Sequence, residues 1–350
     1  MPSFSDRLLA WFDVHGRHDL PWQHPREPYR VWLSEIMLQQ TQVATVIPYF
    51  ARFLQRFPDL AALAAAPLDD VIALWAGLGY YARARNLHRC AQTLVAEHGG
   101  AWPRDIDVLS SLPGIGRSTA AAILAQAYGD RHAILDGNVR RVLARHTATP
   151  GWTGAPAVQR VLWSAAETRL PDARLADYTQ ALMDLGATLC SARAPKCLLC
   201  PVAADCAARL ADRIAEYPGA KPARARPHRH AQLLLIHDAE QRLLLERRAP
   251  AGLWGSLWCP PLLGENDAAL DDWLGQLGLQ VAHAADLPTL THAFTHFDLE
   301  LRPLHLLAQP DGTIISESRW QWIDAAQLAT LGLPAPIRRM VDSLPTVTVS

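Results

Sequence analysis

Apolar residues recur at helical spacing through the first two thirds of the chain. They form one stripe over residues 4–14, a longer pattern over 29–57, and two further segments at 158–169 and 175–189. Recurrence every three to four residues predicts amphipathic helices that bury one face. We therefore expect this part of the protein to be helical.

Residues 112–143 carry the most organised of these patterns. They predict a helix, a tight turn at Gly114 and Gly116, an alanine-rich helix, a bridge ending at Asp136, and another helix. Backbone N–H groups at the start of such a helix suit a phosphate oxygen, without reading base sequence. The glycine pattern by itself is equally consistent with an ordinary helix-turn-helix corner.

Beyond residue 230 the apolar period changes from the helical one to two. Residues 232–237 and 242–246 predict a hairpin pair of strands, and 294–307 and 320–323 predict further strands. Short helices are expected around Trp273 and over residues 336–343. These strands and helices together predict a small α+β domain.

A charge shift accompanies the change of period. Net charge is +2 over residues 1–217, +4 over the proline-rich segment 218–230, and −7 over 231–350. We therefore expect a helical domain at 1–217, a basic linker at 218–230 and a second domain at 231–350. The total of −1 argues neither for nor against nucleic acid, because binding depends on a local basic face.

Composition predicts a soluble protein. Half of the 350 residues are hydrophobic, enough for a sizeable core, and no apolar run is long enough to cross a membrane. The first ten residues lack a secretory signal pattern, so a cytoplasmic location is expected, associated with the nucleoid in a bacterium.

Glu35 is the only charged residue between Arg30 and Arg52. A carboxyl group held among apolar neighbours is poorly solvated, which favours its protonated form and suits a general acid. Spacing alone favours the other interpretation, in which Glu35 faces solvent on the polar side of an amphipathic helix.

Four of the six cysteines crowd into one short loop with spacings of six, two and five residues. In a cytosolic protein this clustering favours a metal centre over disulfides. Zinc is the alternative to an iron–sulfur cluster, but structural zinc sites with four cysteines more often show two Cys-x2-Cys pairs, and this loop has one. The clustered residues are Cys190, Cys197, Cys200 and Cys206; the isolated Cys90 and Cys259 are expected to be buried.

Residues 112–143 resemble the helix-hairpin-helix plus Asp motif of the DNA glycosylase superfamily that includes endonuclease III. Nearly the whole chain is similar to the MutY-type adenine DNA glycosylases within it. The resemblance implies an all-α helix-hairpin-helix domain with a [4Fe–4S] loop at 190–206, and an α+β nudix-like domain for lesion recognition. It also implies a monomer that removes adenine mispaired with 8-oxoguanine, or with guanine, from double-stranded DNA.

The resemblance assigns catalytic roles to Glu35 and to Asp136, with Asn138 helping to orient the latter. Glu35 would protonate adenine, and Asp136 would stabilise the sugar cation or act as a nucleophile. Bifunctional members carry a lysine at the position of Ser118, whose amine attacks the sugar. Ser118 therefore implies a monofunctional enzyme.

Other positions are implied to contact DNA. Gln40 and Thr41 would enter the duplex, Leu78 and Tyr80 would wedge beside the lesion, and the N–H groups at Gly114 and Gly116 would meet phosphate. Arg83 and Arg85 also stand beside the wedge, where they could meet phosphates. For the oxidised guanine the family has Phe-Ser-His, and this chain has Phe294, Thr295 and His296.

Three other interpretations compete with this one. An endonuclease III-like glycosylase for oxidised pyrimidines is disfavoured by Ser118 and by the second domain. A non-catalytic DNA-binding protein could use the same hairpin. Nudix hydrolysis is disfavoured because residues 252–261 are not followed by a Glu-rich helix that would hold Mg²⁺.

Overall fold

The computed structural model describes residues 2–223, 225–249, 252–264, 269–294, 296–310 and 319–344. Its contacts divide the chain into two compact units. The first comprises Met1–Ala66 and Arg83–Ala223, and the second comprises Pro67–Ala82 and Arg224–Ser350. Within the described residues, no helix is both long and apolar enough to cross a membrane.

Helices account for nearly all regular structure outside the sheet. In chain order they are α1 Phe4–His15, α2 Pro28–Leu38, α3 Val43–Arg56, α4 Leu60–Ala65, α5 Leu68–Trp75, α6 Ala82–His98, α7 Ile106–Ser111, α8 Arg117–Tyr128, α9 Gly137–His146, α10 Pro156–Glu167, α11 Leu175–Asp184, α12 Ala207–Leu210, α13 Leu270–Gln276, α14 Ala325–Thr330 and α15 Ala335–Asp342. A π-helical turn, Leu185–Leu189, continues α11 towards the cysteine loop.

Helix α8 runs through the middle of the first unit, where it packs against α2, α7 and α11. Residues from Ala120 to Gln126 are all buried, and most are alanine. A helix that is apolar on every side is expected in a core, and small side chains let its neighbours approach closely. Helix α9 packs against α11, which is itself a neighbour of α8.

The predicted order of elements over residues 112–143 is confirmed. After α7, Gly114 adopts a left-handed φ of 79°. A Cβ atom there would lie 2.8 Å from the Asn86 Cβ, so only glycine fits without a shift. Helix α8 ends at Tyr128 with Gly129 as its C-cap, residues 130–135 form the bridge, and Asp136 caps α9.

The second unit is built on a mixed sheet. Its strands are β1 His228–His237, β2 Leu243–Arg247, β3 Trp258–Cys259, β4 Leu262–Gly264, β5 Leu279–Asp286, β6 Leu290–Ala293, β7 Asp298–Pro310 and β8 Trp320–Ile323. The order is β3-β2-β1-β7-β5; β4 also pairs with β1, β6 with β7 and β8 with β2. Only β1 and β7 among these pairs are parallel, and β1 and β2 form the predicted hairpin.

Both faces of this sheet are covered. Leu233 and Leu235 join the core on one face, and Leu234 and Ile236 join that on the other. Alternate residues of β1 therefore serve two cores, which explains its continuous apolar run. The strand predicted over 294–307 starts later than expected: β6 ends at Ala293, and β7 begins at Asp298 and continues to Pro310.

Candidate active site

One open cavity of about 1120 Å³ lies in the first unit. It is lined by residues near the ends of α2 and α9 and at the start of α8. Pockets of roughly 300–1,000 Å³ are typical for small ligands, so this one can hold an extruded nucleoside. The site residues expected from the sequence that line it are Glu35, Gln40, Thr41, Ser118, Asp136 and Asn138.

Glu35 lies near the C-terminal end of α2 and faces this cavity rather than bulk solvent. The side chain keeps some exposure towards the cavity, but protein atoms enclose it on the other sides. This burial raises the pKa of Glu35 to about 8, and the nearby Asp136 carboxylate adds to the rise. A hydrogen bond from Gln126 acts in the opposite direction. Glu35 is therefore largely protonated at neutral pH.

Asp136 is the N-cap of α9, and its Oδ1 accepts a hydrogen bond of 2.7 Å from the Val139 N–H. Burial is the largest influence and leaves the pKa of Asp136 above its ordinary value, although the Val139 and Asn138 N–H groups and the Arg141 and Arg140 guanidinium groups act in the opposite direction. The start of a helix also favours a negative charge. Backbone N–H groups and guanidinium groups thus favour the ionised form of Asp136, whereas for Glu35 the Gln126 amide acts in this direction.

Ser118 and Asn138 hold the two sides of the segment around Asp136. The Ser118 hydroxyl accepts a 2.9 Å hydrogen bond from the Leu135 N–H, so it ties the bridge to the first turn of α8. Asn138 Oδ1 accepts from Arg141, whose guanidinium also donates to the carbonyls of Gly186 and Cys190. The position of Asp136 is thus fixed from both directions.

Arg83 was expected to meet phosphate, and that expectation is wrong. Its side chain is buried, and Nη1 donates to the carbonyls of Ile36, Met37 and Gln39 at 2.9, 2.9 and 2.6 Å. Nη2 donates to the Thr41 hydroxyl at 3.2 Å. These carbonyls have no partner within α2, so Arg83 caps the helix and shapes the following turn.

The turn after α2 presents Gln40 to the cavity. Gln40 is exposed and adopts a left-handed φ of 59°, which is unusual for a residue with a side chain. Strained backbone of this kind persists only where neighbouring contacts hold it, and Arg83 supplies them here.

The helix-hairpin-helix turn lies before α8. Gly116 is the N-cap of α8, no side chain caps the helix, and a Cβ at this position would meet open space. Backbone N–H groups of the first turn are therefore accessible to a ligand, as the phosphate-binding prediction requires.

Leu78 and Tyr80 belong to the second unit, in the turn after α5. Tyr80 is 51% exposed and adopts a φ of 49°, whereas Leu78 is only 6% exposed. About half of the Tyr80 surface is therefore accessible to solvent. Leu78 would have to leave its buried position to act as a wedge.

The predicted lesion loop joins β6 to β7. Phe294 stacks on Phe297 with ring centroids 4.7 Å apart, and its N–H donates to the Phe297 carbonyl at 2.8 Å. His296 is exposed. Thr295 lies outside the described residues. The aromatic pair anchors the loop and leaves His296 accessible.

The four clustered cysteines surround one cavity with apolar walls and form no disulfide. Burial raises the pKa of Cys200 to about 11, and the other three thiols oppose its ionisation further. Arg145 is buried beside them and donates to Cys190 Sγ at 3.4 Å. In the described part of the chain, no three acidic, histidine or cysteine side chains are placed to hold a single metal ion. Four ionised thiols so close together would repel one another, so they would need a positively charged metal centre bound to all four.

Three interactions of this site escaped sequence reasoning: the Arg83 cap, the Gln126 hydrogen bond to Glu35, and the Arg141 contacts. The first two join residues distant in sequence, which no local pattern reveals. The pairing of Asn138 with Arg141 spans three residues of one helix, so helical periodicity could have found it.

Comparison with known protein families gives two matches. Residues 33–168 match the HhH-GPD superfamily of base excision DNA repair proteins, and residues 232–343 match the NUDIX domain. The chain is 33% identical to the adenine DNA glycosylase of Buchnera aphidicola subsp. Acyrthosiphon pisum (strain APS), over 97% of each chain. It is 45% identical to the human adenine DNA glycosylase, over 59% of this chain and 39% of the human protein.

Solved structures resemble the helical part. A thermostable thymine-DNA glycosylase matches with a TM-score of 0.53 and 28% identity, over 59% of this chain and 95% of that chain. An endonuclease III in a non-covalent DNA complex matches with a TM-score of 0.51 and 23% identity, over 61% and 95%. The second likeness shows the fold alone.

Proposed function

This chain belongs to the adenine DNA glycosylase family, and we propose that its substrate is adenine mispaired with 8-oxoguanine, or with guanine, in double-stranded DNA. Adenine must leave the base stack before its glycosidic bond can be reached, and the cavity accommodates an extruded nucleoside. The observation that carries the proposal is the pair of carboxyl groups, Glu35 and Asp136, on the wall of one cavity.

Glu35 acts as the general acid in this proposal. With a pKa of about 8 it holds a proton at neutral pH. Transfer of that proton to a ring nitrogen of adenine, which we assign as N7, makes the base a better leaving group. The carboxylate that results can then accept a proton from the attacking water.

Asp136 acts on the sugar. Loss of the base leaves positive charge on the deoxyribose, and a carboxylate beside it stabilises that charge. The Val139 N–H and the neighbouring guanidinium groups support the ionised form. Asn138 and Ser118 are positioning residues, because they act through the segment that presents Asp136.

We propose that the reaction stops at base release. Ser118 has no amine to form a Schiff base with the sugar, and its hydroxyl is engaged by the Leu135 N–H. Lys196 and Lys221 are the only lysines of the chain. Borohydride should therefore trap no covalent protein–DNA complex.

Recognition of 8-oxoguanine is assigned to the second unit. Phe294 is anchored by stacking, and His296 is exposed and able to hydrogen-bond a base edge. Thr295, where the family has serine, keeps a hydroxyl for the same purpose. Tyr80 offers an exposed ring for stacking beside the mispair.

One [4Fe–4S] cluster held by Cys190, Cys197, Cys200 and Cys206 is part of the proposal. The four thiols line one common cavity, and four cysteine thiolates are the ligand set of such a cluster. When bound, the cluster supplies iron–thiolate bonds that hold the loop together. The loop would place Arg193, Lys196 and Arg209 near the DNA backbone.

A panel of duplexes tests the substrate assignment. Single-turnover base release is measured with adenine opposite 8-oxoguanine, guanine or thymine, and with thymine glycol opposite adenine. We expect fast release of adenine opposite 8-oxoguanine, slower release opposite guanine, and none from the other two. Release of thymine glycol in place of adenine would instead support repair of oxidised pyrimidines.

A further inference from the structure

Gln126 is a buried amide on an otherwise apolar stretch of α8. It follows residues 120–125, which are all alanine, isoleucine or leucine, and it is 5% exposed. Burying a polar side chain costs free energy unless it is hydrogen-bonded. Gln126 Nε2 donates to Glu35 Oε1 at 3.3 Å, so the amide is directed at the group that we assign as the general acid.

We propose that Gln126 is a positioning residue that fixes the Glu35 carboxyl group and sets the upper pH limit of base excision. The proposal rests on the function assigned to Glu35 above. Helices α2 and α8 pack directly against each other, so the Gln126 amide on α8 reaches the Glu35 carboxyl group on α2.

The physical reason is that an N–H donor favours the ionised carboxylate over the neutral acid. The charged groups that line the cavity with Glu35 are Asp136, Arg17, Arg140 and Arg141. Arg17 is engaged by the buried Asp184, and Arg141 by Asn138 and two carbonyls. The Gln126 amide opposes the effect of burial and Asp136, which raise the pKa of Glu35.

Removing the Gln126 donor should therefore raise the pKa of Glu35. The general acid works only while it is protonated, so the rate falls as pH rises through the pKa of Glu35. Without Gln126 that pKa is higher, and the alkaline fall in rate moves to higher pH. A hydrogen bond to a charged group corresponds to roughly one pH unit, and the long contact here suggests about half to one unit.

The test uses the full-length protein with Gln126→Met, which keeps the length of the side chain and removes its donor. Adenine release is followed from pH 6 to 10 under single-turnover conditions with enzyme below saturation, so the profile reports the free enzyme. We expect the alkaline limb of the rate profile to shift to higher pH by about half to one unit. The plateau rate should also fall several-fold, because the Glu35 carboxyl group is less well oriented. Gln126→Leu is the second variant, in case the first does not fold.

Leu124→Met, a change of similar volume on the same helix, is the control for packing and should leave the limb in place. A fall in plateau rate with an unmoved limb in Gln126→Met would overturn the proposal, because it would reduce Gln126 to a packing role. Glu35→Gln is run in parallel. Retention of activity in that variant would instead remove Glu35 as the acid, which is a separate failure of the proposed function.

Discussion

Arg83 illustrates how single residues shape the site. Its guanidinium group reaches three carbonyl groups at the end of α2 and the hydroxyl of Thr41. The planar fork of arginine suits several acceptors at once, whereas lysine is a single point of charge. The turn that presents Gln40 to the cavity thus depends on a side chain from α6.

Arg83→Lys should lower the free energy of unfolding by about 2 kcal/mol, because at least two carbonyl groups lose their donor. DNA affinity should fall as well, since the turn loses its support. Chemical unfolding and a binding titration measure the two effects. Arg89→Lys is the control, because Arg89 is exposed on the same helix and its guanidinium donates to the Asn86 side chain one turn away. Equal stabilities of the two variants would contradict the role given to Arg83.

The chemistry of Glu35 and Asp136 could be inferred from the sequence, but their surroundings could not. An isolated carboxyl among apolar residues and an Asp at a helix start are local patterns. Whether Glu35 faced solvent or a cavity stayed open until α2, α8 and α9 were placed. Gln126 and Arg83 act across large sequence separations, so their contacts exist only in the fold.

At the scale of elements, the turn between α7 and α8 requires glycine at one position. Gly114 combines a left-handed φ with close approach to Asn86. Sequence predicted this turn because glycine is the usual solution to both demands. Sequence placed the start of the strand expected over 294–307 too early, because Phe294 and Phe297 extend the apolar pattern ahead of β7, which begins at Asp298.

Gly114→Ala should destabilise the protein and weaken DNA binding by about tenfold, because the new Cβ forces α6 and the hairpin apart. Gly129→Ala supplies the comparison: its φ is 72°, but a Cβ there meets nothing within 4 Å. Both variants carry the backbone penalty of roughly 1–2 kcal/mol. Electrophoretic mobility shift and thermal unfolding measure the outcomes. Equal DNA affinities would show that the hairpin does not contact DNA.

At the scale of the whole molecule, the second unit includes the early segment Pro67–Ala82. The contacts within that unit include an ion pair between Asp69 and Arg247 and a hydrogen bond from the Tyr81 hydroxyl to the Leu333 carbonyl. The change in apolar period and in net charge near residue 230 predicted two domains from the sequence. Membership of an early helical segment in the later unit depends on long-range contacts, which composition cannot show.

Purified protein should contain about four iron atoms per chain and absorb visible light through its iron–thiolate bonds. Cys200→Ser should lose most of the iron and the absorbance, because one thiolate ligand is gone. Cys90→Ser is the control, since Cys90 is buried away from the loop and should leave iron content unchanged. Zinc in place of iron, found by elemental analysis of protein purified without oxygen, would contradict the cluster assignment.

The most direct test of the account is the rate of adenine release opposite 8-oxoguanine for the parent, Glu35→Gln and Asp136→Asn proteins, with duplex affinity measured separately. Each substitution keeps the shape of the side chain and removes its acid–base or charge function. We expect single-turnover rates to fall by about 10²-fold or more while DNA binding persists. Parental rates in either variant would contradict the central claim that two carboxyl groups on one cavity perform base excision.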